Sequence, residues 1–160
     1  MSTLGAAHFA AALAALAFGS AVLMDRKGTN AHRALGTAYV VAMIATNVTA
    51  LGLYRLTGYF GPFHALALGS LAVLARGVVV VLRRRPGWLS AHSHSMAWSY
   101  LGLLAAACAE IIARIPPVSR LIGSGLHALL LGLSIAVVFL VVGLVVLPRL
   151  LGRAQAHGSN

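Results

Sequence analysis

The sequence predicts an all-α integral membrane protein, a five-helix bundle whose core is a four-helix group formed by helices 2–5. Of its 160 residues, 60% are hydrophobic and only 9% are charged, a balance that soluble domains do not have. A helix needs about 20 mostly apolar residues to cross a bilayer. Five windows meet that requirement approximately: 4–24, 34–54, 63–82, 93–113 and 122–147. The connectors are short, so residues 1–150 are predicted to form a single transmembrane domain, and 151–160 a disordered cytoplasmic tail.

Basic residues are divided unequally between the two predicted faces. Loops 25–33 and 83–92, together with the residues after Leu147, carry eight Lys and Arg, whereas the opposite connectors carry three. Cytoplasmic loops are the more basic ones, so the first face is predicted to be cytoplasmic and the N-terminus to be outside. The first apolar stretch has no positive residue before it, which favours a retained helix over a signal peptide.

The first three helices have recognisable boundaries. Helix 1 is rich in alanine, and small residues allow close helix approach in lipid. Thr29 or Asn30 can cap helix 2 because a short polar side chain accepts from the backbone N–H groups of the first turn. Pro62 suits the first turn of helix 3, where no backbone donor is needed.

The last two helices are delimited by proline and glycine. Pro86 and Gly87 separate helices 3 and 4, and Ser90 is the expected cap of helix 4. The paired prolines of "ARIPPVSR" end helix 4, since proline cannot continue a helix. Helix 5 follows "GSG" and ends near Pro148.

The net charge of +10 and the polar residues exclude several classes of function. Nucleic acid binding is not expected, because the basic residues follow the membrane topology and lack interleaved aromatic residues. Asp25 and Glu110 are the only acidic residues, so a paired-carboxylate mechanism or a hard-cation cage is nearly excluded. Cys108 is the single cysteine and is read as a small core residue.

Four histidines alternate between the two faces of the predicted bundle. His32 and His92 open helices 2 and 4 on the inside, whereas His64 and His127 open helices 3 and 5 on the outside. Facing histidines on two helices can hold a haem iron from both axial sides. The sequence therefore predicts haem sites at His32 with His92 and at His64 with His127.

Further residues near these histidines are candidates for the same site. Arg76 lies within helix 3, where a charge is costly; it either holds a haem propionate or an anionic substrate, or reaches the inner headgroups. Met96 shares a helical face with His92 and is an alternative ligand, although packing is its commoner role. His94, another alternative ligand, points about 200° away from His92 at 100° per residue. Glu110 and Arg114 are spaced as a local ion pair, with a proton path as the other reading.

Three segments resemble a family of bacterial predicted membrane proteins of unknown function. They are "RKGTNAHRALGTAYVVAM", "PFHALALGSLAVLARG" and "AHSHSMAWSYLG". The resemblance implies a bacterial inner-membrane location and names no activity. The residues that match the family pattern are Lys27, Gly28, His32, Arg33, Pro62, His64, Arg76, His92 and Met96, while His94 stands where a basic residue is usual.

The histidine layout is also similar to that of the two-haem transmembrane cytochromes b that take electrons from ascorbate. This resemblance implies two haem b groups and electron transfer to or from a quinone or a small reductant. The chain has one helix fewer than those cytochromes and shows no ascorbate motif, so the donor is left open.

Two other classes of function remain as alternatives. One is a non-haem metal-binding or transport protein that uses His, Met and Arg with zinc or copper, because clustered neutral imidazoles suit such ions. The other is a noncatalytic membrane assembly subunit, alone or as a homo-oligomer. Colour separates the haem protein from both alternatives, and metal content separates the alternatives from each other.

Overall fold

The computed structural model describes residues 2–54 and 60–113, and their regular structure is helical. The four α-helices are α1 (Thr3–Met24), α2 (Asn30–Leu51), α3 (Pro62–Arg83) and α4 (Trp88–Ala113). The all-α class is confirmed over these residues. The predicted fifth helix, the tail, His127 and Arg114 lie outside the described residues, so the five-helix bundle and the external N-terminus stay predictions.

Three of the described helices are long and apolar enough to cross a membrane: Thr3–Met24, Asn30–Leu51 and Phe63–Arg83. α2 begins at Asn30, four residues before the predicted window 34–54, and ends at Leu51, three residues before that window ends. α4 is not among the three, although window 93–113 was predicted to span. In its first half, serine or histidine occupies five of the six positions from Ser90 to Ser95, which lowers its hydropathy.

α1 carries large apolar side chains outward and small residues inward. On α1, Phe9, Leu13 and Leu23 are exposed, whereas Ala15 and Gly19 are buried. Water would favour the reverse arrangement, because exposed apolar surface is costly there. In lipid there is no such cost, and small residues at the interface let the backbones approach each other. The burial pattern therefore agrees with a bilayer environment.

The helix caps follow the predicted residues in two cases and differ in one. The Oγ1 of Thr29 accepts the His32 N–H at 3.0 Å and caps α2, and Pro62 begins α3. The prediction that Ser90 caps α4 is wrong: the first α-helical bond runs from the Ala91 N–H to the Gly87 carbonyl at 3.1 Å. His92 and His94 thus lie more than a turn inside α4.

Residues 1–103 form one packed unit, and its helices alternate in direction. α1 and α2 are antiparallel, since His8 contacts Thr46 and Thr49 while Gly19 faces Tyr39. α2 and α4 run parallel, as the hydroxyl groups of Tyr39 and Ser99 are 2.8 Å apart and His32 interacts with His92. Loops 25–29 and 84–87 therefore lie at one end, the basic end, and residues 52–54 and 60–61 lie at the opposite end.

The core of this unit is small and includes Tyr39, whose ring carries a hydroxyl group. The rings of Tyr39 and Tyr100 meet edge to face with centroids 6.2 Å apart, and the Tyr100 ring lies directly against Gly19. This edge-to-face geometry is the favoured one for aromatic pairs. The buried hydrophobic residues of the cluster are Ala15, Tyr39, Ala42, Met43, Leu74 and Leu103.

We expect Gly19→Ala to destabilise the bundle by about 1–3 kcal/mol, because its Cβ would meet the Tyr100 ring and lie 3.1 Å from Tyr39 Cε2. Gly69→Ala is the matched control: Gly69 is exposed, and a Cβ there meets no described atom. It should stabilise α3 by up to about 1 kcal/mol. Thermal unfolding in detergent measures both variants. Equal effects of the two substitutions would contradict the packing role of Gly19.

Candidate functional site

His92 is fixed by a contact with the neighbouring helix. Its Nδ1 lies 2.9 Å from the Gly77 carbonyl oxygen of α3. A carbonyl can only accept a hydrogen bond, so Nδ1 carries the proton and donates. In the neutral ring, Nε2 then keeps a lone pair. A histidine whose second nitrogen is held by a carbonyl has the arrangement usual for metal-ligating histidines.

Gly77 makes this contact possible because it has no side chain. A Cβ at this position would meet the Met96 side chain and lie 3.1 Å from the Ser95 Cβ. α4 therefore packs closely against α3 here, and Met96 fills the space beside Gly77 and packs against the core. The structure gives Met96 a packing contact. No role was predicted for Gly77, although a glycine directly after an intramembrane arginine was a usable signal.

His32 lies at the same end and interacts electrostatically with His92. Its Nδ1 is buried and has no hydrogen-bond partner. In the tautomer with the proton on Nε2, the buried Nδ1 keeps a lone pair. The two histidines predicted as the inner pair thus lie near each other, and each has a ring nitrogen without a described hydrogen-bond partner.

Arg76 points from α3 toward α4. Its Nη1 donates to the Ser95 Oγ at 3.2 Å, while the residue as a whole remains exposed. Ser95 and Ser99 are one helical turn apart and are both 1% exposed, so α4 presents a buried hydroxyl face. Sequence reasoning missed these two serines, which the i, i+4 spacing could have revealed. The Arg76 guanidinium keeps donors available for an anionic group.

Loop 25–29 places one cation and one anion near His32. Lys27 donates from Nζ to the Val22 and Leu23 carbonyls at 2.8 and 3.0 Å, covering the last carbonyl groups of α1. Burial lowers the pKa of Lys27, while the nearby Asp25 carboxylate acts in the opposite direction. Lys27 and Asp25 also interact electrostatically with His32, so this histidine lies close to one positive and one negative group.

The predicted outer histidine, His64, has a different role in the structure. Its Nδ1 accepts the Gly61 N–H at 3.1 Å and so caps the start of α3. In a neutral ring, Nε2 then carries the proton, and this atom is buried without a partner. The ring lies between Tyr54 and Phe60, with centroid distances of 4.6 and 5.1 Å. Metal binding at Nε2 would require the ring to give up the cap or lose that proton.

Two more histidines lie outside the His32–His92 pair. The His8 Nδ1 contacts the Thr46 carbonyl at 3.0 Å and the Thr49 Oγ1 at 3.1 Å, which joins α1 to α2. The His94 Nδ1 donates to the Ser90 carbonyl of its own helix at 2.9 Å. Over residues 2–54 and 60–113, no group of three or more His, Cys, Asp or Glu is arranged to hold a metal ion.

A family model described as predicted membrane protein (DUF2306) matches residues 5–151. That match covers most of the chain and includes every residue of the two histidine pairs. Comparisons with curated proteins and with solved structures find no similar chain.

We expect His92 and His64 to show opposite tautomers, since one Nδ1 donates to a carbonyl and the other accepts from an amide. Ring ¹⁵N shifts of histidine-labelled protein, measured at a pH where the rings are neutral, distinguish the two forms. Single His→Asn variants assign the signals. His94 is the internal reference and should match His92. A His64 ring protonated at Nδ1 would contradict the cap geometry.

Proposed function

The chain belongs to this family of predicted membrane proteins, DUF2306, and we propose that it acts in the bilayer as a haem b-binding electron-transfer protein. The proposal concerns first the basic end, where His32 and His92 would be the two axial ligands. The observation that supports it most is the pairing of two histidines on parallel helices, each with one ring nitrogen free of any described partner.

The number of available ligands favours haem over a bare metal ion. A structural or catalytic zinc site needs three or four protein ligands. The described residues offer no such group, and the whole chain has only two acidic residues. Haem iron needs only two ligands from the protein because the porphyrin supplies the other four. The residues present at the basic end therefore fit haem better than zinc or copper.

The surrounding residues have separate roles in this proposal. Bound haem would supply reversible one-electron chemistry. The Gly77 carbonyl orients the His92 ring and raises the basicity of its Nε2. Arg76 Nη1 donates to the Ser95 Oγ at 3.2 Å, and the guanidinium can also bind an anionic group such as a haem propionate. A quinone or a small reductant as electron partner belongs to the same proposal.

A second haem at the opposite end is a weaker part of the proposal. It would use His64 with His127, and His127 lies outside the described residues. His64 already caps α3 through Nδ1, so its Nε2 would have to exchange a proton for a metal. Electron transfer as proposed requires a haem at the basic end. A haem at the opposite end would be a second, additional site.

The test is a visible spectrum of the purified protein, oxidised and then reduced, after growth with added haem. We expect a Soret band and a sharp reduced α band. His92→Ala and His32→Ala should each lower haem occupancy of the basic-end site at least about tenfold, since even outer partners of a ligand contribute tenfold or more. If the opposite end holds a second haem, about half the total remains.

His94→Ala is the matched control, because it removes an imidazole two residues from His92 whose Nδ1 bonds only to its own helix. It should keep the full spectrum. A colourless protein, or loss of haem in all three variants alike, would reject the ligand assignment. Metal analysis of the colourless protein would then separate a zinc or copper protein from a noncatalytic assembly subunit.

A further inference from the structure

The turn between α3 and α4 encloses a cleft of about 210 Å³ at the basic end. Val79, Val80 and Ala91 form an apolar wall, and Trp88 lies at the first turn of α4. Arg83 and Arg85 line the same cleft. The volume is below the roughly 300–1,000 Å³ of small-molecule and cofactor pockets, so the cleft suits a single headgroup-sized moiety.

The three consecutive arginines of this turn are not equivalent. Arg84 adopts the left-handed conformation, with φ of 45°, and its N–H caps α3 by donating to the Val80 carbonyl at 3.0 Å. Its side chain does not line the cleft, whereas Arg83 and Arg85 on either side of it do. Because the backbone reverses at Arg84, Arg83 and Arg85 line the cleft together with its apolar wall, and Arg84 does not.

These two cations are exposed and are open to a negative partner from outside the chain. Among the described residues, neither the Arg83 nor the Arg85 guanidinium has a hydrogen-bond or ion-pair partner. The chain opposes twelve Lys and Arg with only two acidic residues, and Asp25 is engaged in the other loop at this end, where Thr29 donates to it. An anion that also has an apolar part could bind the two arginines and contact the apolar wall of the cleft at the same time.

We infer that this cleft is a binding site for an anionic phospholipid, with Arg83 and Arg85 on its phosphate and the valines against the start of an acyl chain. Guanidinium groups match phosphate oxygens in a planar, paired geometry. Tryptophan favours the depth of the headgroups, and basic pockets between membrane helices bind anionic headgroups. A free phosphate would leave the apolar wall without a partner. The inference is independent of haem, because it uses none of the proposed ligands.

Quenching of Trp88 fluorescence by brominated lipid tests the site directly. Trp98→Phe leaves Trp88 as the only tryptophan of the chain. The protein is placed in phosphatidylcholine vesicles that contain a minor fraction of brominated phosphatidylglycerol or, in parallel, of brominated phosphatidylcholine. We expect stronger quenching by the anionic lipid. Arg83→Gln and Arg85→Gln should each lower this preference about fivefold, the effect of one basic residue near an anionic surface.

Arg84→Gln is the matched control, since it removes the same charge from the same turn outside the cleft. It should leave the preference unchanged. Ala91→Leu fills the cleft without changing any charge and should also reduce the preference. Far-ultraviolet circular dichroism confirms that each variant is folded.

Three outcomes would overturn the inference. Equal losses in all three arginine variants would mean that only general surface charge attracts the lipid. Equal quenching by both lipids in the unaltered chain would mean that there is no selective site. Displacement of the anionic lipid by inorganic phosphate, beyond the effect of chloride at matched ionic strength, would assign the cleft to free phosphate.

Discussion

The close approach of α4 to α3 at Gly77 is the constraint on which the candidate site depends. A Cβ at this position would displace the end of the Met96 side chain and lie 3.1 Å from the Ser95 Cβ, so α4 could not pack as closely there. The same approach brings the His92 ring to the Gly77 carbonyl and Ser95 to the Arg76 guanidinium. One missing Cβ therefore determines how a histidine is oriented and where an intramembrane arginine points. Gly19 has the corresponding role between α1 and Tyr100.

A bilayer offers no water to polar groups, so the bundle must satisfy them internally. Thr46 and Asn47 donate to carbonyls of their own helix at 2.8 Å, and Tyr39 bonds to Ser99 across the core. These bonds make the polar residues of α2 compatible with an apolar surrounding. Against this background, the two buried side-chain atoms without a partner among the described residues are both histidine nitrogens, His32 Nδ1 and His64 Nε2.

The two ends of the bundle differ in what these histidines can do. At the basic end, His92 keeps a lone pair on Nε2 because its Nδ1 donates to Gly77, and the His32 Nδ1 has no described partner; an unprotonated ring nitrogen is the form that binds metal. At the opposite end, His64 uses its acceptor for the helix cap, and the remaining nitrogen is a donor. The charge distribution adds a second difference, because the unpaired Arg83 and Arg85 and the cleft that they line belong to the basic end.

The sequence by itself determined the all-α class, the membrane environment and the alternation of His32, His64 and His92 between the two ends. These properties depend on hydropathy, on helix length and on local signals such as Thr29 and Pro62, all of which act within one segment. The start of α4 was harder to predict, because Gly87 rather than Ser90 accepts its first helical bond. Only the tertiary structure decided which nitrogen each histidine uses, that Arg76 bonds to Ser95, and that Arg83 and Arg85 are separated from Arg84. Each of these depends on a carbonyl, an amide or a hydroxyl supplied by another segment, or on the backbone conformation of a single turn, and the spacing of residues along one helix does not encode them.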